Sequence, residues 1–168
     1  MTAVAQDQLL DFVVNPIDLV EEIASAHDWL FERKSDEEMA VEICGHWSDY
    51  RLFFSWLEDL HALHFVCAFE MRVSAHRSAG INELLAMVNE KMAVGHFDRW
   101  AAEGLLVFRH ASLLRGGPGA SVEQLEDLVT IAITECERFY PAFQYVVWGG
   151  KAPSDAVAAA MLDTVGEA

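Results

Sequence analysis

Apolar residues first recur at the spacing of an α-helix, in the stretch "NPIDLVEEIASAH". Asn15 suits the N-cap position, and Pro16 suits the first helical turn because the N–H that proline lacks has no partner there in any helix. The pattern predicts a helix over about residues 16–27. The apolar residues on its buried face are Ile17, Val20, Ile23 and Ala24.

The period then shortens to two, which is typical of β-strands. Three alternating runs follow one another and are joined by polar turns such as "KSDEE". We expect an antiparallel meander from "MAVEICGHW", "RLFFSWL" and the run Leu63–Val73. The segment "WLFERK", just before them, predicts one more short strand or the first arm of a hairpin.

The last of these runs contains four residue types that bind transition metals. In "HALHFVCAFE", the residues His61, His64, Cys67 and Glu70 fall at every third position. Successive side chains of a strand point to opposite faces, so His64 and Cys67 diverge, and His64 and Glu70 lie about 20 Å apart along one face. The alternation therefore favours a half-buried strand over a metal site.

Helical spacing returns in "INELLAMVNEKMAVG", where Gly95 is well placed to end the helix. Two more strands are expected, at about residues 96–101 and 104–114. The second is apolar on both faces, which predicts a central strand of the sheet. The apolar stripe of the helix consists of Ile81, Leu84, Leu85, Val88 and Met92.

Glycines ahead of the next helix invite a comparison with phosphate-binding loops. The stretch "RGGPGASVEQ" lacks the spacing of GxxxxGK[ST] and of GxGxxG, and no lysine follows within reach. Ser121 with Gln124 three residues later predicts a capping box at the start of a helix. We interpret the glycines as a turn.

The helix that begins at about residue 122 is the longest in the chain. Pro141 lies inside its apolar pattern, so we expect a kink or an end near Phe139–Tyr140. A short Ala-rich helix is expected at about residues 154–164. The elements together predict an α+β fold in the order α-β-β-β-α-β-β-α, with an antiparallel sheet of about five strands and helices packed on it.

The composition is that of a globular domain with a strongly acidic surface. Of 168 residues, 53% are hydrophobic and 23% charged, and the formal net charge is −16. Nucleic acids and anionic lipids bind basic faces, and the chain has no basic cluster beyond Arg33–Lys34. The N-terminus lacks a basic n-region, and no apolar segment approaches the roughly 20 residues that span a bilayer. We expect a cytoplasmic protein that binds neither nucleic acid nor membranes.

Residue types that carry catalysis are present but form no recognised motif. Seven histidines and three cysteines occur without HExxH, CxxC or a Cys/His zinc spacing, and GxSxG is absent. We expect no catalytic residue, cofactor or metal, and no enzyme. One alternative stays open: a small-molecule- or metal-binding domain, including an enzyme, in which folding brings histidines and acidic residues together.

The aromatic residues indicate contact with other protein chains. Five Trp and ten Phe are many for one small domain, and the apolar end of the third helix is hard to cover in a thin α+β layer. Large apolar patches usually become protein–protein surfaces, and a homodimer is the simplest cover. We expect the following residues at a partner or dimer interface: Phe139, Phe143, Tyr145, Val146 and Trp148.

The order of elements and three stretches resemble the YbjN family, bacterial proteins described as sensory transduction regulators. The stretches are "NPIDLVEEIASAHDW", "YRLFFSWLEDL" and "YPAFQYVVWGGK". The resemblance covers about residues 15–165 as one domain and leaves residues 1–14 as a tail, ordered or disordered. It implies a fold similar to that of type III secretion chaperones. It also implies a bacterial, cytoplasmic, non-enzymatic regulator that acts as a homodimer and binds other polypeptides in a chaperone-like way.

Overall fold

The computed structural model describes residues 14–165, and these contain four α-helices and six strands. The helices are α1 (Pro16–Ala26), α2 (Ser78–Asn89), α3 (Val122–Val147) and α4 (Pro153–Val165). The strands are β1 (Leu30–Arg33), β2 (Glu38–Cys44), β3 (Asp49–Leu57), β4 (Ala62–Arg72), β5 (His96–Trp100) and β6 (Leu105–Leu113). Apart from Val14, the predicted tail of residues 1–14 lies outside the described residues.

The strands form one antiparallel sheet in the order β1-β2-β3-β4-β6-β5. The predicted meander is confirmed as β2, β3 and β4, and β6 lies between β4 and β5, so it is not an edge strand, as its apolar faces predicted. The sheet has six strands and not about five, because "WLFERK" forms a full edge strand that pairs with β2 from Leu30 to Arg33. The α+β class is confirmed.

The helices cover one face of this sheet. The α1 helix packs on β1, β2 and β3, α3 packs on β4 and β6, and α2 packs on β5. Between the two layers lies an aromatic core in which the ring of Phe97 is 5.8 Å from that of Phe108 and 5.1 Å from that of Phe143. All three side chains are buried, so this layer supplies most of the apolar surface that folding removes from water.

Two helices begin as their sequences predict. The Asn15 side chain accepts a hydrogen bond from the backbone N–H of Ile17 at 2.9 Å, which caps α1. At α3 the hydroxyl of Ser121 accepts from the backbone N–H of Gln124 at 3.2 Å, and the Gln124 side chain accepts from the N–H of Ser121 at 2.9 Å. The capping box is therefore confirmed, and the glycines before it form a turn.

The α3 helix does not end at Pro141 but continues to Val147. A proline inside a helix removes one backbone hydrogen bond and costs about 3 kcal/mol. Burying one large apolar side chain contributes roughly 1.5–3 kcal/mol, and several are buried next to the proline. Tertiary packing therefore outweighs the local cost, and of the predicted kink or end near Phe139–Tyr140 the end does not occur. The buried neighbours are Phe139, Tyr140, Ala142, Phe143, Val146 and Val147.

Candidate interaction surface: the open face of the sheet

The second face of the sheet carries no helix within residues 14–165. Its buried residues form a small cluster that consists of strand residues alone, whereas the larger cluster joins the opposite face to all four helices. We call this uncovered side the open face. It bears the side chains of alternate residues on all strands, such as Phe53 on β3, Val66 on β4 and Val107 on β6.

An apolar strip crosses the open face from β3 to β5. The rings of Phe53 and Trp100 approach to 6.3 Å over the two strands that lie between them. This contact is allowed because Ala68, opposite Val107 in the register of β4 and β6, is small. The two aromatic rings shield Val107, which is 0% exposed although no helix covers it.

Charged side chains frame this strip. On one side, the guanidinium of Arg109 contacts the Asp98 carboxylate at 3.0 Å and lies 3.4 Å from the ring of His64. On the other side, Arg51 lies 3.7 Å from Glu42 and also sits over the ring of Phe53. The ammonium of Lys34 lies over the same ring, 5.5 Å from its centroid. Aromatic rings flanked by arginines are typical of protein interfaces.

Burial, hydrogen bonds and neighbouring charges on this face shift the pKa of two side chains. Partial burial lowers the pKa of His64, and the positive charge of Arg109 lowers it further. Partial burial acts to raise the pKa of Asp98, but hydrogen bonds from the backbone of Arg99 and from the Arg109 side chain outweigh it and lower the pKa. Asp98 is thus held as a carboxylate and His64 as a neutral imidazole near pH 7.

The strip borders a concave region of 1010 Å³. The register between β4 and β6 shifts between Ala68 and Arg72, at the end of this region, and the Arg72 side chain donates to the backbone carbonyl of Glu103 at 2.8 Å. Such an irregularity bends a strand away from flat pairing. The charged and aromatic open-face side chains that line the region are Glu42, Asp49, Arg51, Phe53, Glu70, Arg72 and Trp100.

The two edges of the sheet differ. At the β5 edge the Asn89 side-chain oxygen accepts from the backbone N–H of Phe97 at 2.7 Å, and its amide donates to the Phe97 carbonyl at 3.0 Å. The next outward N–H, that of Arg99, donates to the Asp98 side chain at 2.7 Å. At the other edge the β1 side chains of Leu30 and Phe31 are 72% and 39% exposed. The β5 edge is therefore closed by side chains, and the β1 edge is exposed.

The four residues considered as metal ligands lie as the alternation predicts. His61 precedes β4, Cys67 is buried on the helix side, and His64 and Glu70 belong to the opposite side of the same strand. Among residues 14–165 no three or more His, Cys, Asp or Glu side chains converge on one point as metal ligands would. The alternative function based on clustered histidines and acids has no metal-binding constellation in this part of the chain.

The residues predicted for a partner or dimer interface differ in how far they are exposed. Phe139, Phe143 and Val146 are buried in the core of the chain, where they contact its own sheet and helices. Tyr145 is partly buried and lies under the ammonium of Lys151, which is 4.3 Å from its ring centroid. Only the fifth side chain, that of Trp148, is mainly exposed.

Trp148 belongs to a small aromatic group at the end of α3. It is 56% exposed, and its ring lies 6.5 Å from that of Tyr140. Trp47, from the turn between β2 and β3, is 45% exposed and stacks on Tyr140 at 5.9 Å. Of the predicted interface, therefore, Trp148 is the residue placed to reach a partner without opening the core.

The sequence contains a signal for the open face that our interface prediction did not use. Val66 and Ala68 are apolar residues on the more polar side of the strand Leu63–Val73, between His64 and Glu70. Apolar side chains on both sides of a strand indicate that both are partly covered. The pattern could not show that Phe53 and Trp100, from strands that are not neighbours, supply that cover.

None of the helices in residues 14–165 combines the length and the hydropathy that crossing a bilayer requires. The prediction that the chain does not bind membranes concerns surface binding as well, and it stays a prediction.

Comparison with known proteins places the chain in a family. The crystal structure of YbjN from E. coli, described as "a putative transcription regulator", aligns with a TM-score of 0.49 and 13% sequence identity, over 74% of this chain and 94% of that one. No curated protein sequence matches the chain. The YbjN family model, described as "Putative bacterial sensory transduction regulator", matches residues 16–145. The resemblance seen in the sequence is confirmed, and the chain belongs to the YbjN family.

Proposed function

We propose that the protein is a regulatory module without enzymatic activity, which acts as a dimer and binds a segment of another polypeptide on the open face. The observation that carries the proposal is the pair of partly exposed rings, Phe53 and Trp100, which shield Val66 and Val107 on a sheet face that no described helix covers. Apolar patches of this kind on soluble proteins usually mark interaction sites. The description of the YbjN family as regulators supports a role of this type.

A polypeptide fits this surface better than a small molecule. Pockets for small molecules measure roughly 300–1,000 Å³, and this region of 1010 Å³ lies at the upper end of that range and combines aromatic with ion-pairing side chains along the sheet. The partly exposed Phe53 and Trp100 provide apolar anchors. Arg51 and Arg72 next to them can donate hydrogen bonds to carbonyl or carboxylate oxygens of a bound chain.

The experiment compares two substitutions that change one partly exposed aromatic residue to glutamate. Peptides that bind the wild-type protein are selected from a random display library, and their affinities are measured by fluorescence anisotropy. We expect Phe53→Glu to weaken binding at least tenfold, because it places a charge in the apolar strip. The matched control Trp148→Glu adds the same charge on the helical side, and its affinity should stay within twofold of wild type.

Circular dichroism spectra establish that both variants remain folded. Equal losses in the two variants, or full affinity of Phe53→Glu, would place the peptide elsewhere and overturn the proposal. Amide exchange of the complex gives an independent reading: protection should increase in β3, β4 and β6 and not at the exposed end of α3.

A further inference from the structure

The hydrogen-bond pattern of the sheet determines which backbone groups of β1 point outward. The N–H of Lys34 donates to the carbonyl of Glu38 at 2.9 Å, and the N–H of Trp56 donates to the carbonyl of Glu37 at 2.8 Å. In antiparallel pairs, hydrogen-bonded and non-hydrogen-bonded residues alternate. In β1, therefore, Leu30 and Glu32 are bonded to β2, and the N–H and C=O groups of Phe31 and Arg33 point away from the sheet.

These outward groups are available for pairing. Within residues 14–165 no side chain bridges the backbone of Phe31 as Asn89 bridges that of Phe97 at the other edge. The neighbouring apolar side chains, Leu30 and Phe31, are exposed as well. An exposed edge with apolar side chains is a template for another strand.

We propose that β1 pairs in antiparallel fashion with β1 of a second copy of this chain, which joins two six-stranded sheets into one. This inference rests on the dimer of the proposed function and specifies the surface through which the two copies meet. Phe31 would face Phe31 of the second copy, with hydrogen bonds exchanged between the outward groups of the two residues.

The charges along β1 favour this register and a second copy of the chain as the partner. With Phe31 opposite its own copy, Leu30 faces Glu32 of the second chain, and no two like charges of β1 lie opposite each other. The two other registers in which the outward groups of Phe31 and Arg33 meet place either the two Glu32 or the two Arg33 side chains directly opposite each other, and like charges in that position destabilise a sheet. A two-fold axis satisfies both copies at once, as in most dimers.

A short edge strand makes a small interface, so the dimer should dissociate at accessible concentrations. The chain as a whole carries a net charge of −16, and two copies repel each other at long range. Salt screens this repulsion. We therefore expect dimerisation to strengthen as ionic strength rises from about 0.02 to 0.15 M, the range in which the screening length falls below roughly 10 Å.

The first test removes a single outward N–H. Proline is tolerated in an edge strand where its missing N–H faces solvent, so Phe31→Pro should keep the monomer fold and weaken dimerisation at least twentyfold in sedimentation velocity. The matched control Phe31→Ala removes the same side chain but keeps the N–H. It should weaken dimerisation by a factor no more than about a third as large. A variant Phe31→Pro that dimerises like Phe31→Ala would refute pairing through β1.

Amide exchange of the unmodified protein provides a second test that needs no variant to fold. The amides of Phe31 and Arg33 should gain protection from exchange as the protein concentration rises from about 1 to several hundred micromolar. This range is on the order of the dissociation constant expected for a small interface. The amides of β5 should not change. A dimer without this protection means that the copies meet elsewhere, which overturns this inference and leaves the proposed dimer intact. A protein that stays monomeric over the whole range overturns both. Peptide binding to the open face is tested separately by its own experiment.

Discussion

The side chain of Asn89 pairs with the backbone of Phe97 as a neighbouring strand would, accepting from its N–H at 2.7 Å and donating to its carbonyl at 3.0 Å. One residue thus ends the α2 helix and closes the β5 edge. The α2 helix ends at Asn89 and not near Gly95, where the sequence pattern predicted its end. Gly95 instead adopts a positive φ of 69° in the connection to β5.

Replacing Asn89 by leucine should destabilise the fold by about 1–3 kcal/mol, because both polar groups of Phe97 lose their partner next to a buried side chain. Urea unfolding followed by circular dichroism measures the change. Asn82→Leu, at an exposed position of the same helix, is the matched control and should shift stability by no more than about 0.5 kcal/mol. Equal effects of the two variants would mean that the Asn89 bridge contributes little.

The two ends of the predicted interface should respond differently to truncation. Phe143 is 0% exposed, and its ring lies 6.0 Å from that of Phe69 and 5.1 Å from that of Phe97. Phe143→Ala should therefore cost about 3–5 kcal/mol of unfolding free energy. Trp148→Ala removes a mainly exposed ring and should cost no more than about 1 kcal/mol. A small loss for Phe143→Ala in thermal and urea unfolding would contradict its place in the core.

The three cysteines should differ in reactivity toward Ellman's reagent. Cys44 is exposed, whereas Cys67 and Cys136 are buried with their sulfur atoms 3.9 Å apart. Burial raises the pKa of the Cys136 thiol well above its usual value. We expect one thiol to react in the native protein and all three in denaturant.

The reaction of Cys44 should itself be slow at pH 7, because a hydrogen bond with Asp49 and the charge of that carboxylate raise the pKa of the thiol. Asp49→Asn should remove the charge and increase the rate of labelling at pH 7, while the rate in denaturant stays unchanged. Fast labelling of all three thiols without denaturant would contradict the burial of Cys67 and Cys136.

Stability should fall as the pH drops from 7.5 to 5.5. Partial burial lowers the pKa of His64 and of His110, and the nearby Arg109 and His96 lower them further. The unfolded chain therefore binds protons more readily than the folded one, so that the stabilisation is complete above a pH of about 6.5, the unfolded pKa, and is lost as the pH falls through the folded pKa.

Urea midpoints at the two pH values measure this loss. The double substitution of His64 and His110 by glutamine should flatten the dependence, and replacing the exposed His76 by glutamine should not. A protein whose urea midpoint is the same at pH 5.5 and 7.5 would show that neither histidine is held neutral by the fold.

The elements of this fold were predictable from local patterns. Alternation assigned the strand from Leu63 to Val73 correctly, and with it rejected the metal site suggested by His61, His64, Cys67 and Glu70. Caps at Asn15 and Ser121 fixed the beginnings of two helices. These signals succeed because each depends on groups within a few residues of one another.

Other features depend on groups that are far apart in the sequence. Nothing near Pro141 reveals that its neighbours will be enclosed by the sheet, so the local rule predicted a kink or an end, and packing prevents the end. In the same way, the interface predicted from the apolar residues Phe139, Phe143 and Val146 ignored the fact that their own sheet would cover them. The strip between Phe53 and Trp100 is made by β3 and β5, which are separated in the chain by β4 and α2, and it becomes visible only in three dimensions.

The closed β5 edge limits how large an assembly of this protein can become. Strand pairing extends without limit only when every subunit offers two edges, one at each side, and fibres grow in that way. In the part of the chain from residue 14 to residue 165, Asn89 occupies both outward groups of Phe97 and Asp98 the N–H of Arg99, which leaves β1 as the edge with open N–H groups. Each subunit then has a valence of one, so that pairing through β1 would end with the second copy and could not propagate into a filament.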